Sequence, residues 1–245
     1  MKKLFAIFAI LFIALANQAN AKTVLKKTHF APQNVLEADD EVDYSDPIEP
    51  VNRAIFEFNS AVDYVLLRPA AKVYTGAVPQ WGRQRVTNFL YNVSEPVTVV
   101  NSAFQGDAEN AFTSVWRFII NSTFGLLGTF DAATEVGLKA RKEDFGQTLA
   151  VWGAGEGPYI VLPILGPSSL RDTAGMGVDY AVNPTNWNSV ADSDTRTGLY
   201  VAKALDSRSS ILDITDEIDR TSLDPYASYR SLYLQNRRNE VNNGK

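Results

Sequence analysis

Asp107-Ala108-Glu109-Asn110-Ala111-Phe112-Thr113-Ser114-Val115-Trp116-Arg117-Phe118-Ile119-Ile120-Asn121 is the clearest helical segment of the chain. Asp107 is a good N-cap, since its carboxylate can accept an otherwise unpaired N–H of the first turn. Phe112, Val115, Trp116, Ile119 and Ile120 then recur at steps of three and four, the spacing of one helix face. Arg117 and Asn121 share a neighbouring face. Such a stripe has two explanations. It packs into the core of a soluble bundle, or it lies against lipid as one of several amphipathic helices. Periodicity alone does not choose between them.

The same pattern extends in both directions. Upstream, Ser45-Asp46 with Pro47 and Glu49 reads as a helix start. Val51, Ile55, Phe58 and Val62 follow on one face, and the helix is expected to end near Arg68-Pro69. A second stripe carries Asn52, Phe56, Asn59 and Asp63, while Glu49, Arg53 and Glu57 are spaced for an exposed ion-pair ladder. Trp81–Val93 reads as a helix stopped by Glu95-Pro96, with a shorter one through Phe104. Downstream, helices are expected at Thr195–Leu205, at Ile211–Ile218 and from Asp224-Pro225 onward.

Between these blocks the texture changes. Ten of the 15 glycines lie from Gly125 to Gly177, so regular helix is interrupted there. Within it, Gly157, Pro158, Tyr159, Leu162, Pro163, Leu165 and Gly166 punctuate an apolar run. Pro163 rules out regular helix, so this run reads as extended or as a hairpin, with a new helix starting near Ser168.

The termini read differently. Lys2 and Lys3, the apolar run Leu4–Ala16 and the triplet Ala19-Asn20-Ala21 form a signal peptide over residues 1–21, with cleavage specified by Ala19 and Ala21. The run is too short to span a bilayer, where about 20 residues are needed. Residues 22–44 read as a flexible arm, basic at first and then acidic, and 239–245 as a polar tail. The folded domain is expected over 45–238, mainly α, in an exported protein.

Composition removes much chemistry. The 245 residues include no cysteine and one histidine, His29, in the expected arm. Disulfides, cysteine nucleophiles and thiolate metal sites are thereby excluded. Gly153-Ala154-Gly155-Glu156-Gly157 lacks the Lys-Ser or Lys-Thr of a phosphate loop. Acidic pairs such as Glu143-Asp144 have no spacing that separates a hydrolase from solvated helix starts. A formal net charge of −5 with no basic block gives no footprint for nucleic acid. No catalysis, cofactor or metal is expected.

Several ordered blocks resemble one family. Asp46-Pro47-Ile48-Glu49-Pro50-Val51-Asn52-Arg53 with Phe56-Glu57-Phe58-Asn59 looks like the opening signature of the MlaA (VacJ) proteins. Arg117-Phe118-x-x-Asn121 with Gly125, Gly128 and Phe130-Asp131-x-Ala133 resembles its second block. Glu143–Leu149, Trp152-Gly153, Gly157–Tyr159, Leu165–Pro167 and Arg171-Asp172 resemble the third, and Asp224-Pro225-Tyr226, Arg230 and Tyr233 the last. The resemblance implies a ring-like assembly of amphipathic helices in the outer membrane, reached from the periplasmic side. Misplaced phospholipids would leave the outer leaflet through it and pass to an MlaC-like periplasmic carrier, with a porin trimer as a further partner. Asn52, Phe56, Asn59 and the Gly157–Gly166 segment are then candidates for the lipid path. Arg117, Asn121, Asp131, Arg171 and Asp172 are candidates for polar ties between helices. Family members carry an acylated cysteine at the mature N-terminus; this sequence has none, so attachment without an N-terminal lipid anchor is expected. The rival readings are a soluble periplasmic lipid-binding or scaffold protein and an exported hydrolase.

Overall fold

The structure is a computed structural model that describes residues 46–242. The expected signal peptide with Ala19 and Ala21, the arm over 22–44 with His29, and the last three residues lie outside the described residues. What is described is mainly α with one small hairpin, as the sequence implies.

Helix α1 (Glu49–Val62) does not stop where expected. A π-helical turn (Asp63–Leu67) leads directly into α2 (Arg68–Ala77). Pro69 falls in the first turn of α2, where its missing N–H has no partner to lose. Helix α3 (Gln80–Phe104) is likewise one unbroken element of 25 residues with Pro96 inside it. An interior proline costs about 3 kcal/mol or more. Tertiary contacts offset that cost here, because Glu95, Val97, Thr98, Asn101 and Ser102 are all buried around it. The local rule for proline therefore misplaces both helix ends.

A three-residue link returns the chain as α4 (Ala108–Thr123), and Asp107 caps it as expected, accepting from the Asn110 amide at 2.9 Å. A loop leads to the short α5 (Ala132–Glu135) and then to α6 (Phe145–Val151), which opens on an Asp144/Gln147 capping box. Strands β1 (Tyr159–Leu162) and β2 (Gly166–Ser169) pair antiparallel, with Tyr159 opposite Ser169 and Leu162 opposite Gly166. Ser169 caps α7 (Leu170–Val182). The chain ends in α8 (Ser193–Ser210), α9 (Leu212–Thr221) and α10 (Pro225–Val241), the last capped by Asp224 as the sequence indicates. Helix α10 continues past Arg238, so residues 239–241 of the expected tail are helical.

The distribution of polarity is the unusual feature. Among the described residues the apolar cluster is small: Tyr159, Val161, Tyr226 and Leu234, with Ile55, Phe56 and Tyr233 packed against it. Buried polar side chains are more numerous. On α4 the buried positions are Asn110, Ser114, Arg117 and Asn121. Phe112 is 67% exposed and Trp116 55%, with Val115 and Ile119 also exposed. On α1 the buried position is Asn52, while Val51 and Phe58 face out. Both stripes read from the sequence exist on each helix, and the one with the polar side chains faces inward, while Ile55 of the apolar stripe on α1 still reaches the cluster. No helix among the described residues is long and apolar enough to cross a membrane.

This inversion places the stability of α4 in its polar face. Arg117→Ala strands the buried Glu95 carboxylate and is expected to cost about 3–5 kcal/mol. Phe112→Ser is expected to change stability by about 0.5 kcal/mol or less. Thermal unfolding of the two variants in detergent, followed by circular dichroism, checks the difference.

Candidate functional site

Helix α1 holds the hairpin through two asparagines seven residues apart. The Asn52 amide donates to the Tyr159 carbonyl at 3.0 Å and to Asp46 at 2.7 Å, and its oxygen accepts from the Val161 N–H at 2.9 Å. The Asn59 amide donates to the Leu162 carbonyl at 2.9 Å and accepts from the Ile164 N–H at 2.7 Å. Seven helical residues rise about 10.5 Å, and three strand residues advance about 10 Å. The spacings match, so α1 stands in for a neighbouring strand and satisfies the free edge of β1. The intervening Phe56 packs its ring 5.6 Å from both Tyr226 and Tyr229. The turn Pro163-Ile164-Leu165 is exposed, and Ile164 adopts φ 67°.

The start of α1 is tied to the start of α10. Asp46 accepts from the Tyr226 hydroxyl and from Arg230 at 2.9 Å. Arg53 forms a fork on Asp224 at 2.6 and 3.1 Å, besides its bond to Glu49 at 2.7 Å. The expected exposed ladder is thus a long-range tie at Arg53. At the far end of the stripe, Asp63 accepts from Arg208 of α8 at 2.6 and 2.8 Å.

Two further networks fasten the remaining helices. Arg117 donates to Glu95 at 2.9 Å, to Asp131 at 3.1 Å and to the Leu138 carbonyl. Asn121 completes this group, donating to Asp131 and accepting from the Ala133 N–H. In the other network, Arg237 of α10 bridges Asp144 (2.7 Å twice) and Asp172 (2.9 Å twice), and Tyr233 and Arg171 also donate to Asp172. A Cβ on Gly146 would lie 2.4 Å from both Arg237 and Asp172, so glycine is required for the bridge to close. Burial pushes the Asp172 carboxyl up, but the bonds from Arg237 and Tyr233 and the nearby positive charges prevail and hold it at about 2.

A cavity of about 170 Å³ opens between α3 and α8. Leu90, Tyr91 and Leu199 form an apolar part of its wall, and Lys142, Arg196 and Lys203 bring positive charge. None of the residues singled out from sequence lines it. Lys142 stands beside Glu143-Asp144, and Lys203 lies on a helix whose apolar positions alone were legible; neither belongs to a motif. The described residues contain no group of three or more His, Cys, Asp or Glu side chains placed to hold a metal.

The family profile described as MlaA lipoprotein matches residues 44–240, which include α1, the hairpin and all three polar networks. The chain belongs to the MlaA family. It is 34% identical to the Escherichia coli K12 protein named intermembrane phospholipid transport system lipoprotein MlaA, over 78% of this chain and 76% of that one. An uncharacterized protein of Rickettsia bellii is 42% identical over 80% of this chain and 76% of its own length. A solved chain from work on the structural basis for maintenance of bacterial outer membrane lipid asymmetry superimposes with a TM-score of 0.69 at 32% identity, covering 80% of this chain and 99% of that one. The MlaA resemblance stated from sequence therefore holds.

The Asp172 network carries a pH signature. A carboxyl whose folded pKa lies below its ordinary 3.8 contributes stability that is present above that value and is lost as pH falls toward 2. Asp172→Asn is expected to lose about 2 kcal/mol at neutral pH. Its stability gap from the parent chain is expected to narrow between pH 4 and 2. Chemical denaturation of both proteins across that range gives the gap directly.

Proposed function

We propose that this protein moves phospholipid between membranes, removing misplaced molecules from the outer leaflet of the outer membrane and passing them to an MlaC-like periplasmic carrier. The observation that carries this reading is the inverted polarity. Outward stripes such as Phe112, Trp116 and Ile119 suit a lipid surface, whereas a protein dissolved in water hides such faces. Polar groups that satisfy one another inside are what an apolar surrounding demands.

A walled route is needed, because each acyl methylene exposed to water costs about 0.8 kcal/mol. The amphipathic helices are read as a ring-like assembly seated at the periplasmic side of the outer membrane, with a porin trimer as a neighbour. Of the sequence candidates for the lipid path, the exposed turn with Pro163 and Leu165 suits lipid contact, beside Leu162 and Gly166. Asn52 and Asn59 have their amides engaged by the hairpin, so their part is to hold it from Tyr159 to Ile164, and Gly157 and Pro158 lead into the strand so held. Arg117, Asn121, Asp131, Arg171 and Asp172 act as polar ties. The rival soluble periplasmic protein is disfavoured by the outward apolar stripes.

Two experiments test this. A strain lacking the gene is expected to accumulate phospholipid in its outer leaflet, and unchanged asymmetry in a strain without a paralogue contradicts the reading. The Phe112→Ser/Trp116→Ser/Ile119→Ser protein is expected to keep its helical circular dichroism yet no longer float with phospholipid vesicles. Flotation equal to that of the parent chain would remove the membrane contact assigned to α4.

A further inference from the structure

The cavity between α3 and α8 is small. At about 170 Å³ it falls below the roughly 300–1,000 Å³ of sites that enclose a whole small molecule, so it suits a headgroup and not acyl chains. Its charge is unbalanced. Lys142, Arg196 and Lys203 line it against a single carboxylate, Asp206. Arg196 donates only to neutral acceptors, the Asn186 carbonyl at 2.7 Å and the Asn188 side chain at 2.9 Å. Asp206 accepts from the Thr87 hydroxyl at 2.8 Å. Neither lysine has a hydrogen bond or ion pair among the described residues. The two ammonium groups repel: desolvation lowers the pKa of Lys203, Lys142 lowers it further, and Asp179 opposes them. This excess of positive charge occurs in a chain whose formal net charge is −5.

A phosphodiester relieves that repulsion. Its two non-bridging oxygens share one negative charge and can accept from both ammonium groups. Leu90 and Leu199 in the same wall offer apolar contact to the rest of the ligand. A zwitterionic headgroup brings a further cation into a site already rich in them, while a headgroup of net negative charge does not.

The geometry points to a phosphate-recognition point formed by Lys142 and Lys203, which selects phospholipids of net negative charge over zwitterionic ones. It rests on the phospholipid reading above and adds to it a headgroup preference and the residues that set it.

The full chain, purified in detergent, is incubated with equimolar phosphatidylglycerol and phosphatidylethanolamine and repurified, and bound lipid is quantified by mass spectrometry. Phosphatidylglycerol is expected to be enriched about threefold, the discrimination available to exposed charge pairs such as Lys142 and Lys203 would form. Lys142→Gln/Lys203→Gln is expected to abolish the enrichment while total bound lipid stays. Lys142→Arg/Lys203→Arg keeps it, as does Lys139→Gln, which is outside the cavity. Lipid bound without enrichment, or enrichment retained in the glutamine variant, overturns the headgroup selection and leaves the transport reading intact. Inorganic phosphate that binds the parent chain but not the glutamine variant, with no lipid enrichment in the parent chain, assigns the site to the free anion and also overturns it. If the parent chain binds neither lipid, the transport reading itself fails, and this inference with it.

Discussion

The buried pair between Glu95 and Arg117 is the constraint on which helices α3 and α4 depend. Its side chains are 1% and 2% exposed, and they meet at 2.9 Å in the middle of α3 and α4. Two ions removed from water this far are tolerated only when they are matched and when further partners fill the remaining sites. Asp131, Thr134 and the Leu138 carbonyl provide those partners for Arg117. Because Arg117 must face inward, the stripe of Phe112, Trp116 and Ile119 on the same helix must face outward. The pair also sits beside Pro96 and explains how a helix interrupted by proline continues for another two turns.

The same logic recurs where chain ends meet. Asp46, Asn52 and Arg53 at the start of α1 engage Tyr226, Arg230 and Asp224 of the last helix and its cap, as well as the backbone of β1. Arg237 joins α10 to the starts of α6 and α7. Residues distant in sequence are thus fastened by ion pairs and amide hydrogen bonds where a protein in water would use an apolar core. That arrangement leaves apolar side chains free for lipid, which is the material an MlaA-family protein of phospholipid transport has to meet.

Much of the fold was legible from local chemistry. Caps at Asp107 and Asp224 mark helix starts because each places a carboxylate on an unpaired N–H. Pro163 forbids helix and leaves a hairpin. The periods of α1 and α4 reveal two stripes on each helix. What local chemistry does not contain is which stripe faces in, because that depends on the surrounding solvent and on partners far away in the chain. It also misplaces the helix ends at Pro69 and Pro96, where tertiary contacts override a local penalty. Among the site residues, the family motifs locate Asn52, Arg117 and Asp172. Glu95, Arg237, Lys142 and Lys203 do not stand out, since each gains meaning only from a neighbour at least 20 residues away or from a cavity wall.

The central claim is that the apolar face of α4 is in contact with lipid. It is tested most directly by a chain in which Trp116 is the sole tryptophan, placed in vesicles containing lipids with spin labels on their acyl chains. The account predicts strong quenching of Trp116 fluorescence by the labelled chains and weak quenching by aqueous iodide. Strong quenching by iodide with none from the labelled chains would show that this face meets water, and would contradict the account.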